Sequence, residues 1–250
     1  MIRKQSEGIE WLEFELFADH PHFAHGIFLK PLSVGISKAA RIHADKSEND
    51  AAETMKENRL RIQKILRTDR LISAYQVHGT SIVHVTEEKG EIPHCDGLLT
   101  CQKGVGLMIK HADCQAAIFF DPEHKAIANV HCGWRGNVKN LYGIAVLEMQ
   151  KQFASRPENI LVGISPSLGP EKAEFIHYRT ELPESFWPYQ VKPTYFDLWA
   201  ISRMQLEGAG ILPHHIEIAS LCTYSNARDF FSYRRDNRMT GNHAAIVLLR

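Results

Sequence analysis

The chain has 250 residues, of which 44% are hydrophobic and 23% charged, a balance typical of globular proteins that bury a large core. Lysine plus arginine number 29 and aspartate plus glutamate number 29, so no overall charge draws the chain to nucleic acid or to an acidic membrane. Recognition of a phosphate group would therefore depend on a local set of residues. This length predicts one domain spanning residues 1–250.

The N-terminal segment and the cysteines predict a cytoplasmic protein without a membrane partner. The segment MIRKQSEGIEWLEFELF places charges among its apolar residues, unlike a signal peptide, and no stretch of the sequence is long and apolar enough to span a membrane. The five cysteines are odd in number and irregularly spaced, which indicates reduced thiols rather than a disulfide framework.

The first part of the chain predicts two strands and one helix. Strands are expected at WLEFELF and HGIFLK, separated by the turn at ADHPHF. The stretch from Ser47 to Leu66 has a helical composition, and either Ser47 or Asn49 could cap its N-terminus.

Short apolar runs in the remaining chain predict a strand-rich region. The expected central strands are LISAYQV, SIVHV, GLLT, GVGLMIK, AAIFFD and AIANVH. A helix from Asn140 to Phe153, a strand ILVGIS, a helix in FDLWAISRMQLEGAG ended by Gly208 or Gly210, a strand in HHIEIASLCTY and a hydrophobic C-terminal strand follow. This spacing favours an α+β fold, in which layers of mixed β-sheet are flanked by helices.

Three side chains suited to binding a metal ion occur where predicted strands meet turns. His78 follows LISAYQV, Cys114 precedes AAIFF, and His131 follows AIANV. Two imidazoles and one thiolate suit zinc, and three protein ligands leave a fourth position for water, as in catalytic zinc sites. Taken singly, each residue is more often an ordinary buried histidine or cysteine. Cys132 is the competing thiol, but neighbours on a strand face opposite sides of it.

The segments QVHG, CDGLLT, ADC and HCGWRG, followed by LCTY, FFSYRRD and TG, resemble the YfiH or laccase-domain family. The similarity runs from about His25 to the C-terminus. Members of that family are described as purine nucleoside phosphorylases with adenosine deaminase activity and were formerly named polyphenol oxidases. The resemblance implies a YfiH-like fold, a zinc ion held by His78, Cys114 and His131, and a purine nucleoside and phosphate as small-molecule partners.

Other residues near these motifs are candidates for substrate binding and catalysis. Arg59, in an Asn-Arg pair matching the family, and Arg135, in GWRG, could hold phosphate, while Gln76 could bind ribose or base. Trp134 could stack on a purine or be structural. Zinc-activated water could attack C6 of adenine, with Cys114 and Asp113 as catalytic residues. Asp113 would be a general base or would orient a ligating histidine, unless it simply caps a turn.

Three alternative functions use the same residues. A cysteine hydrolase, or an enzyme editing peptidoglycan precursors, would use Cys114 as nucleophile and His131 or His78 as base. A copper-dependent polyphenol oxidase would need more ligands than this one cluster, although two histidines and a cysteine can bind copper. A non-catalytic zinc-stabilised binding module would need a fourth protein ligand, for which His111 is available.

Three further positions bear on the resemblance. His25 matches a family histidine that lies near the pocket, although an exposed loop position is the alternative for it. Asn237 and Asn242 stand where the family usually has glycine and arginine, so no phosphate contact is expected from position 242.

Overall fold

The computed structural model describes residues 1–35, 48–86 and 93–250, which form two facing six-stranded β-sheets covered by helices. Sheet 1 contains, in spatial order, β1 (Ile2–Ser6), β2 (Ile9–Glu13), β3 (Phe23–Phe28), β14 (His243–Leu249), β7 (Val105–His111) and β4 (Arg70–Ser73). Sheet 2 contains β13 (Ile216–Ile218), β10 (Leu161–Ile164), β8 (Gln115–Asp121), β9 (Ala126–Cys132), β6 (Gly97–Thr100) and β5 (Ile82–His84). A separate hairpin pairs β11 (Gln190–Lys192) with β12 (Tyr195–Phe196).

Helices complete the described part of the chain. The α-helices are α1 (Glu48–Leu66), α2 (Trp134–Val138), α3 (Leu141–Phe153), α4 (Tyr178–Glu181) and α5 (Leu198–Gly208). Short 3-10 helices cover Glu15–Phe17, Pro157–Asn159, Glu184–Tyr189 and Pro213–His215. No helix among the described residues combines the length and apolarity needed to cross a membrane.

Three buried apolar clusters separate the layers. The first lies between the two sheets and includes Leu107, Ile118 and Val247. In the second, Met108 on the outer face of sheet 1 packs with Ile62 of α1. The third lies between sheet 2 and the helices α3 and α5. The resulting order is helix, sheet, sheet, helix.

Strand β9 shows how alternation distributes side chains between these layers. Ile127 lies in the cluster between the sheets, and His131, four residues further along the strand, shares that face. Ala128, Val130 and Cys132 lie in the cluster facing α3. Side chains at the end of β9 are thus divided between an inter-sheet site and the helical layer.

The structure confirms the predicted α+β class and the mixed sheets. In sheet 1, β4 pairs parallel with β7, whereas β14 pairs antiparallel with β3 and β7. In sheet 2, the β10–β13 and β5–β6 pairs are parallel and the β8–β9 pair is antiparallel. The C-terminal strand is therefore central in its sheet.

Two predicted strands are shorter than expected. WLEFELF leaves the strand conformation after Glu13 because Phe14 and Phe17 are both buried, and their spacing of three does not fit strand alternation. LISAYQV ends as a strand at Ser73, and the loop that follows it exposes Tyr75 and Val77. Strand β1 and the β11–β12 hairpin were not predicted.

The helix boundaries agree closely with the sequence, apart from one cap. Asn140 caps α3 by accepting a hydrogen bond from the Gly143 backbone at 3.3 Å, and α5 ends at Gly208. Asn49 lies inside the first turn of α1, so its prediction as the N-cap is wrong. Ser47, the other predicted cap, lies outside the described residues.

Candidate metal centre

One loop and the ends of two strands bring three side chains together at one end of the space between the sheets: His78, Cys114 and His131. His78 lies in the loop after β4, Cys114 directly precedes β8, and His131 lies near the end of β9. Their donor atoms all lie within 4.8 Å of one another, and the two imidazole rings are nearly perpendicular at 85°. His78 is exposed, Cys114 is half-buried and His131 is buried, so the group opens to solvent on one side.

The antiparallel pairing of β8 and β9 places Cys114 and His131 on the same face. Ala116 is the register partner of His131, and Cys114 lies two residues before Ala116 on the chain. Gln115 pairs with Cys132, and both point to the opposite face. Cys132 packs in the helical layer, as strand alternation predicts for a thiol that faces away from Cys114.

Asp96 connects two of these segments, and although it lies in the quoted segment CDGLLT, no role was predicted for it. Its carboxylate is fully buried and accepts hydrogen bonds from the backbone N–H groups of Val77, His78 and Gly79 at 3.2, 2.9 and 2.6 Å. The Nδ1 atom of His131 lies 2.9 Å from Asp96 Oδ1 and donates to it. This contact leaves Nε2 of His131 as the nitrogen available to a metal ion.

The electrostatics of the group favour a thiolate. Burial by itself would raise the pKa of the Cys114 thiol, but the neighbouring His131 and His78 rings lower it to about 6. Burial opposes protonation of His131, yet the Cys114 sulfur and the Asp96 carboxylate raise the pKa of that imidazole. Thiolate is the form of cysteine that binds zinc, so a cation could replace the proton shared within this pair.

The donor set fits a soft or borderline metal ion. One sulfur and two imidazole nitrogens suit zinc or copper rather than magnesium or calcium, and among the described residues three protein donors converge. Within residues 1–35, 48–86 and 93–250, this is the sole cluster of three or more such donors. A multi-copper centre would require further ligands, so the described residues offer donors for a single metal ion.

Asp113 adjoins Cys114 but contacts different partners from those predicted. Its backbone has φ of 80°, and its carboxylate accepts hydrogen bonds from Thr223 Oγ1 at 2.6 Å and from the Arg234 backbone at 2.7 Å. The contact that orients His131 is made by Asp96 instead. Asp113 thus ties two C-terminal loops to the turn that carries Cys114.

The three predicted substrate-binding residues differ in whether their polar groups already have partners within the described structure. The amide of Gln76 pairs with the backbone of Lys110, donating at 2.7 Å and accepting at 2.9 Å. Arg135 is exposed, and its guanidinium lies 4.1 Å from the centre of the Trp134 ring. In Arg59, burial lowers the pKa, and Nε is buried without a hydrogen-bond partner among the described residues. The structure thus gives Gln76 a backbone-bracing contact that the sequence did not predict.

His111 lies beside the turn that carries Cys114 and is not one of the three candidate donors. Its Nδ1 donates to the Cys114 carbonyl oxygen at 3.1 Å, and its Nε2 is buried without a partner in the described structure. The ring faces that of His243 at 5.5 Å between centroids. His111 braces the turn that carries Cys114.

His25 and Asn237 depart from simple expectations. The exposed-loop alternative for His25 is wrong, since His25 is buried on β3 and its Nε2 accepts a hydrogen bond from the Phe14 backbone at 2.7 Å. Burial lowers the pKa of His25 to about 3, so it stays neutral. Asn237 has φ of 48°, a left-handed conformation that glycine adopts freely and asparagine tolerates.

Comparison with known proteins connects this arrangement to a family. The profile of the family described as multi-copper polyphenol oxidoreductase laccase matches residues 25–250. The purine nucleoside phosphorylase YlmD of Geobacillus stearothermophilus is 32% identical over 197 residues, covering 72% of this chain and 72% of that protein. A purine nucleoside phosphorylase of Bacteroides thetaiotaomicron is 27% identical over 244 residues, covering 90% of each.

Solved structures show the same fold. The crystal structure of YlmD from Geobacillus stearothermophilus matches with a TM-score of 0.83 and 28% sequence identity, over 100% of this chain and 99% of that chain. The Bacillus licheniformis hypothetical protein YfiH matches with a TM-score of 0.80 at 24% identity, over 97% and 96% of the two chains, which supports the fold alone. Given the profile match and these relatives, the chain belongs to the YfiH or laccase-domain family.

Proposed function

We propose that the chain is a zinc-dependent purine nucleoside phosphorylase with adenosine deaminase activity. The observation that carries this proposal is the convergence of His78, Cys114 and His131 in a chain whose relatives are named purine nucleoside phosphorylases. Two imidazoles and a thiolate suit zinc. When bound, zinc would supply Lewis acidity at the solvent-facing side of the group.

Phosphorolysis breaks the N-glycosidic bond and joins the anomeric carbon to a phosphate oxygen, so its products are the free base and the sugar 1-phosphate. The enzyme must therefore hold a phosphate anion beside the nucleoside. Arg135 supports this requirement because its exposed guanidinium is stacked on Trp134 and is not committed to a carboxylate of the described structure. Arg59 supports it because its buried Nε lacks an acceptor there, which a phosphate oxygen could supply.

Adenosine deamination replaces the amino group at C6 of the purine with oxygen from water and releases ammonia. We assign Cys114 and Asp113 to catalysis, with Cys114 also a metal ligand. A carboxylate has about four lone-pair positions. Thr223 and Arg234 use one on each oxygen of Asp113, so the group can still accept a proton. Gln76, braced against Lys110, keeps one amide hydrogen for ribose or base.

The test combines metal analysis with two assays on the purified protein. Phosphate-dependent release of free base from inosine or adenosine is expected, together with phosphate-independent conversion of adenosine to inosine. Cys114→Ala should lose both zinc and activity, whereas Cys101→Ala, at an exposed position after β6, should retain both. Full activity and full zinc content in Cys114→Ala would refute the assignment.

A cysteine hydrolase, including one acting on peptidoglycan precursors, is the second candidate. The lowered pKa of Cys114 beside His131 favours it, because an activated cysteine nucleophile needs the same pair. Metal dependence separates the two functions. Removal of metal by a chelator should abolish the phosphorylase and leave a cysteine hydrolase active. Thiol alkylation of the metal-free protein should then inactivate the hydrolase, or prevent added zinc from restoring the phosphorylase.

The proposal places the protein in the cytoplasm. All five cysteines are free in the structure, and the proposed site needs Cys114 as a thiolate rather than in a disulfide. These features support a reducing compartment such as the cytoplasm, with a nucleoside and phosphate as the small-molecule partners.

A further inference from the structure

The Asp96 carboxylate gathers four hydrogen-bond donors in a space closed to solvent. Three of them are the consecutive backbone N–H groups of residues 77–79, and the fourth is Nδ1 of His131. The Asp96 backbone carbonyl oxygen also accepts from the His131 backbone N–H at 2.7 Å. One residue therefore contacts the segments carrying two of the three proposed metal ligands.

The loop that bears His78 depends on these contacts for its shape. His78 has φ of 58°, in the left-handed region that residues other than glycine seldom adopt. Three hydrogen bonds to one charged carboxylate stabilise that conformation, since a hydrogen bond to a charged group is stronger than one between neutral groups. The loop lies outside the sheet ladder, because β4 ends at Ser73.

The contact between Asp96 and His131 fixes the orientation and the tautomer of the His131 ring. Because Asp96 accepts the Nδ1 hydrogen, the imidazole plane and its tautomer are set, and Nε2 points away from the carboxylate. The backbone of His78 and the ring of His131 are thus both tied to one side chain that itself lies outside the donor group.

We propose that Asp96 is a positioning residue that assembles the metal site by holding His78 and His131 in ligating geometry before the ion binds. This inference rests on the metal site of the proposed function. Asparagine has the same shape but only one acceptor oxygen, and its amide nitrogen would face N–H donors. Asp96→Asn therefore separates the role of the carboxylate from the space it fills.

The chain contains a matched control at the other end of β8. Asp121 is also fully buried, and it accepts hydrogen bonds from the Glu123 and His124 backbones at 2.9 and 3.2 Å and lies 2.8 Å from Nδ1 of His124. Like Asp96, it is a buried carboxylate that contacts backbone N–H groups and an imidazole, but no cluster of possible metal ligands adjoins it among the described residues. Asp121→Asn removes the same kind of contacts from the fold but not from the metal centre.

The experiment measures zinc affinity by competition with a chromophoric chelator for the wild type, Asp96→Asn and Asp121→Asn. Asp96→Asn should weaken zinc binding about 10- to 100-fold, as losses of such outer contacts do. Asp121→Asn should bind zinc like the wild type, although its thermal stability falls. With cobalt in place of zinc, the ligand-field spectrum of Asp96→Asn should shift, because the donor geometry changes.

Two results would overturn the proposal. One is equal zinc affinity and an equal cobalt spectrum in the wild type and Asp96→Asn. The other, obtained on the wild type without any substitution, is an NMR spectrum of labelled histidine in which Nδ1 of His131 lacks its hydrogen in either the zinc-free or the zinc-loaded protein. A wild type that binds no zinc would refute the metal site itself, and the positioning proposal with it.

Discussion

Gly133 lies so close to Cys114 that a side chain cannot be added at this glycine without displacing the sulfur. A Cβ atom at position 133 would lie 2.9 Å from Cys114 Sγ and 3.6 Å from Cδ2 of His78. Gly133→Ala should therefore push the sulfur out of ligating geometry, since metal sites tolerate displacements of only about 0.5 Å. We expect zinc affinity to fall roughly tenfold or more, equivalent to about 1.4 kcal/mol, in a chelator competition assay.

Gly208→Ala is the control for that change. Gly208 ends α5, and a Cβ atom there meets no other atom within 4 Å. Its replacement should leave zinc affinity unchanged and should not lower thermal stability, because alanine favours the helix. Normal zinc affinity in Gly133→Ala would show that the Cys114 sulfur is not a ligand in the proposed geometry.

Arg135 tests the proposed phosphate contact. Arg135→Lys keeps the positive charge but removes the planar fork and its stacking at 4.1 Å on Trp134. We expect the KM for phosphate to rise about tenfold with a smaller change in kcat, because a bidentate contact is lost from substrate binding. Steady-state assays at varied phosphate concentration measure this, with zinc content unchanged.

The control for Arg135 is a second exposed arginine, near the end of β8 opposite to Cys114. Arg156 lies 3.2 Å from Glu123, which follows β8. Arg156→Lys should leave the KM for phosphate unaltered. If Arg135→Lys also leaves it unaltered, the phosphate contact belongs elsewhere, and Arg59, with its unpartnered buried Nε, becomes the arginine to substitute.

Ligand chemistry and strand alternation were sufficient to propose the donor group. His78, Cys114 and His131 have metal-binding side chains at the ends of apolar runs, and alternation separated Cys114 from the face of Cys132. Side-chain type and strand alternation are local properties, so they can be read without knowing how the strands pair. They could not predict the order of strands in each sheet, such as the position of β14 between β3 and β7.

Asp96 marks where sequence reasoning stopped. It lies 35 positions from His131 along the chain, and its place in CDGLLT, before the glycine that begins β6, does not indicate which groups its carboxylate contacts. The donors it collects are mostly backbone N–H groups, which every residue type except proline carries and no motif reveals. An orienting role was one of the alternatives predicted for Asp113, because it is adjacent to Cys114 in sequence, but its carboxylate contacts Thr223 and Arg234.

Asn129 provides a test of how the two sheets are held together. This fully buried side chain on β9 donates through Nδ2 to the carbonyl oxygens of Leu107 at 2.9 Å and Ala245 at 2.8 Å, on two strands of sheet 1. Asn129→Ala should lower the free energy of unfolding by about 2–4 kcal/mol, because two carbonyl contacts are lost and a cavity remains.

The control for Asn129 is Asn159→Ala, which alters a contact with Glu123 near the surface. It should change stability by about 0.5 kcal/mol or less. Chemical denaturation of both variants measures the difference. Equal small effects would show that the Asn129 contacts do not contribute to the packing of sheet 1 on sheet 2.

Buried neutral histidines should make the protein sensitive to acid. Burial lowers the pKa of His243 to about 4, helped by the charges of Lys30 and Arg235, and burial lowers that of His25 to about 3. Both values lie below those of an unfolded chain, so the unfolded state binds more protons once the pH falls below roughly 6.5. Their contribution to stability is complete above that pH and is lost progressively towards pH 4.

The loss of stability in acid can be measured for one histidine at a time by substitution. The protein should be metal-free, so that release of a metal ion does not add to the loss. Each of these histidines should remove about 1.4 kcal/mol from the free energy of unfolding per pH unit below 6.5. His243→Asn should lessen the slope by about that amount, because asparagine takes up no proton. The control variant is His94→Asn, which makes the same substitution at an exposed position. An identical slope in His243→Asn would mean that His243 is protonated in the folded protein, in conflict with its Nε2 accepting the Phe231 backbone hydrogen bond at 2.8 Å.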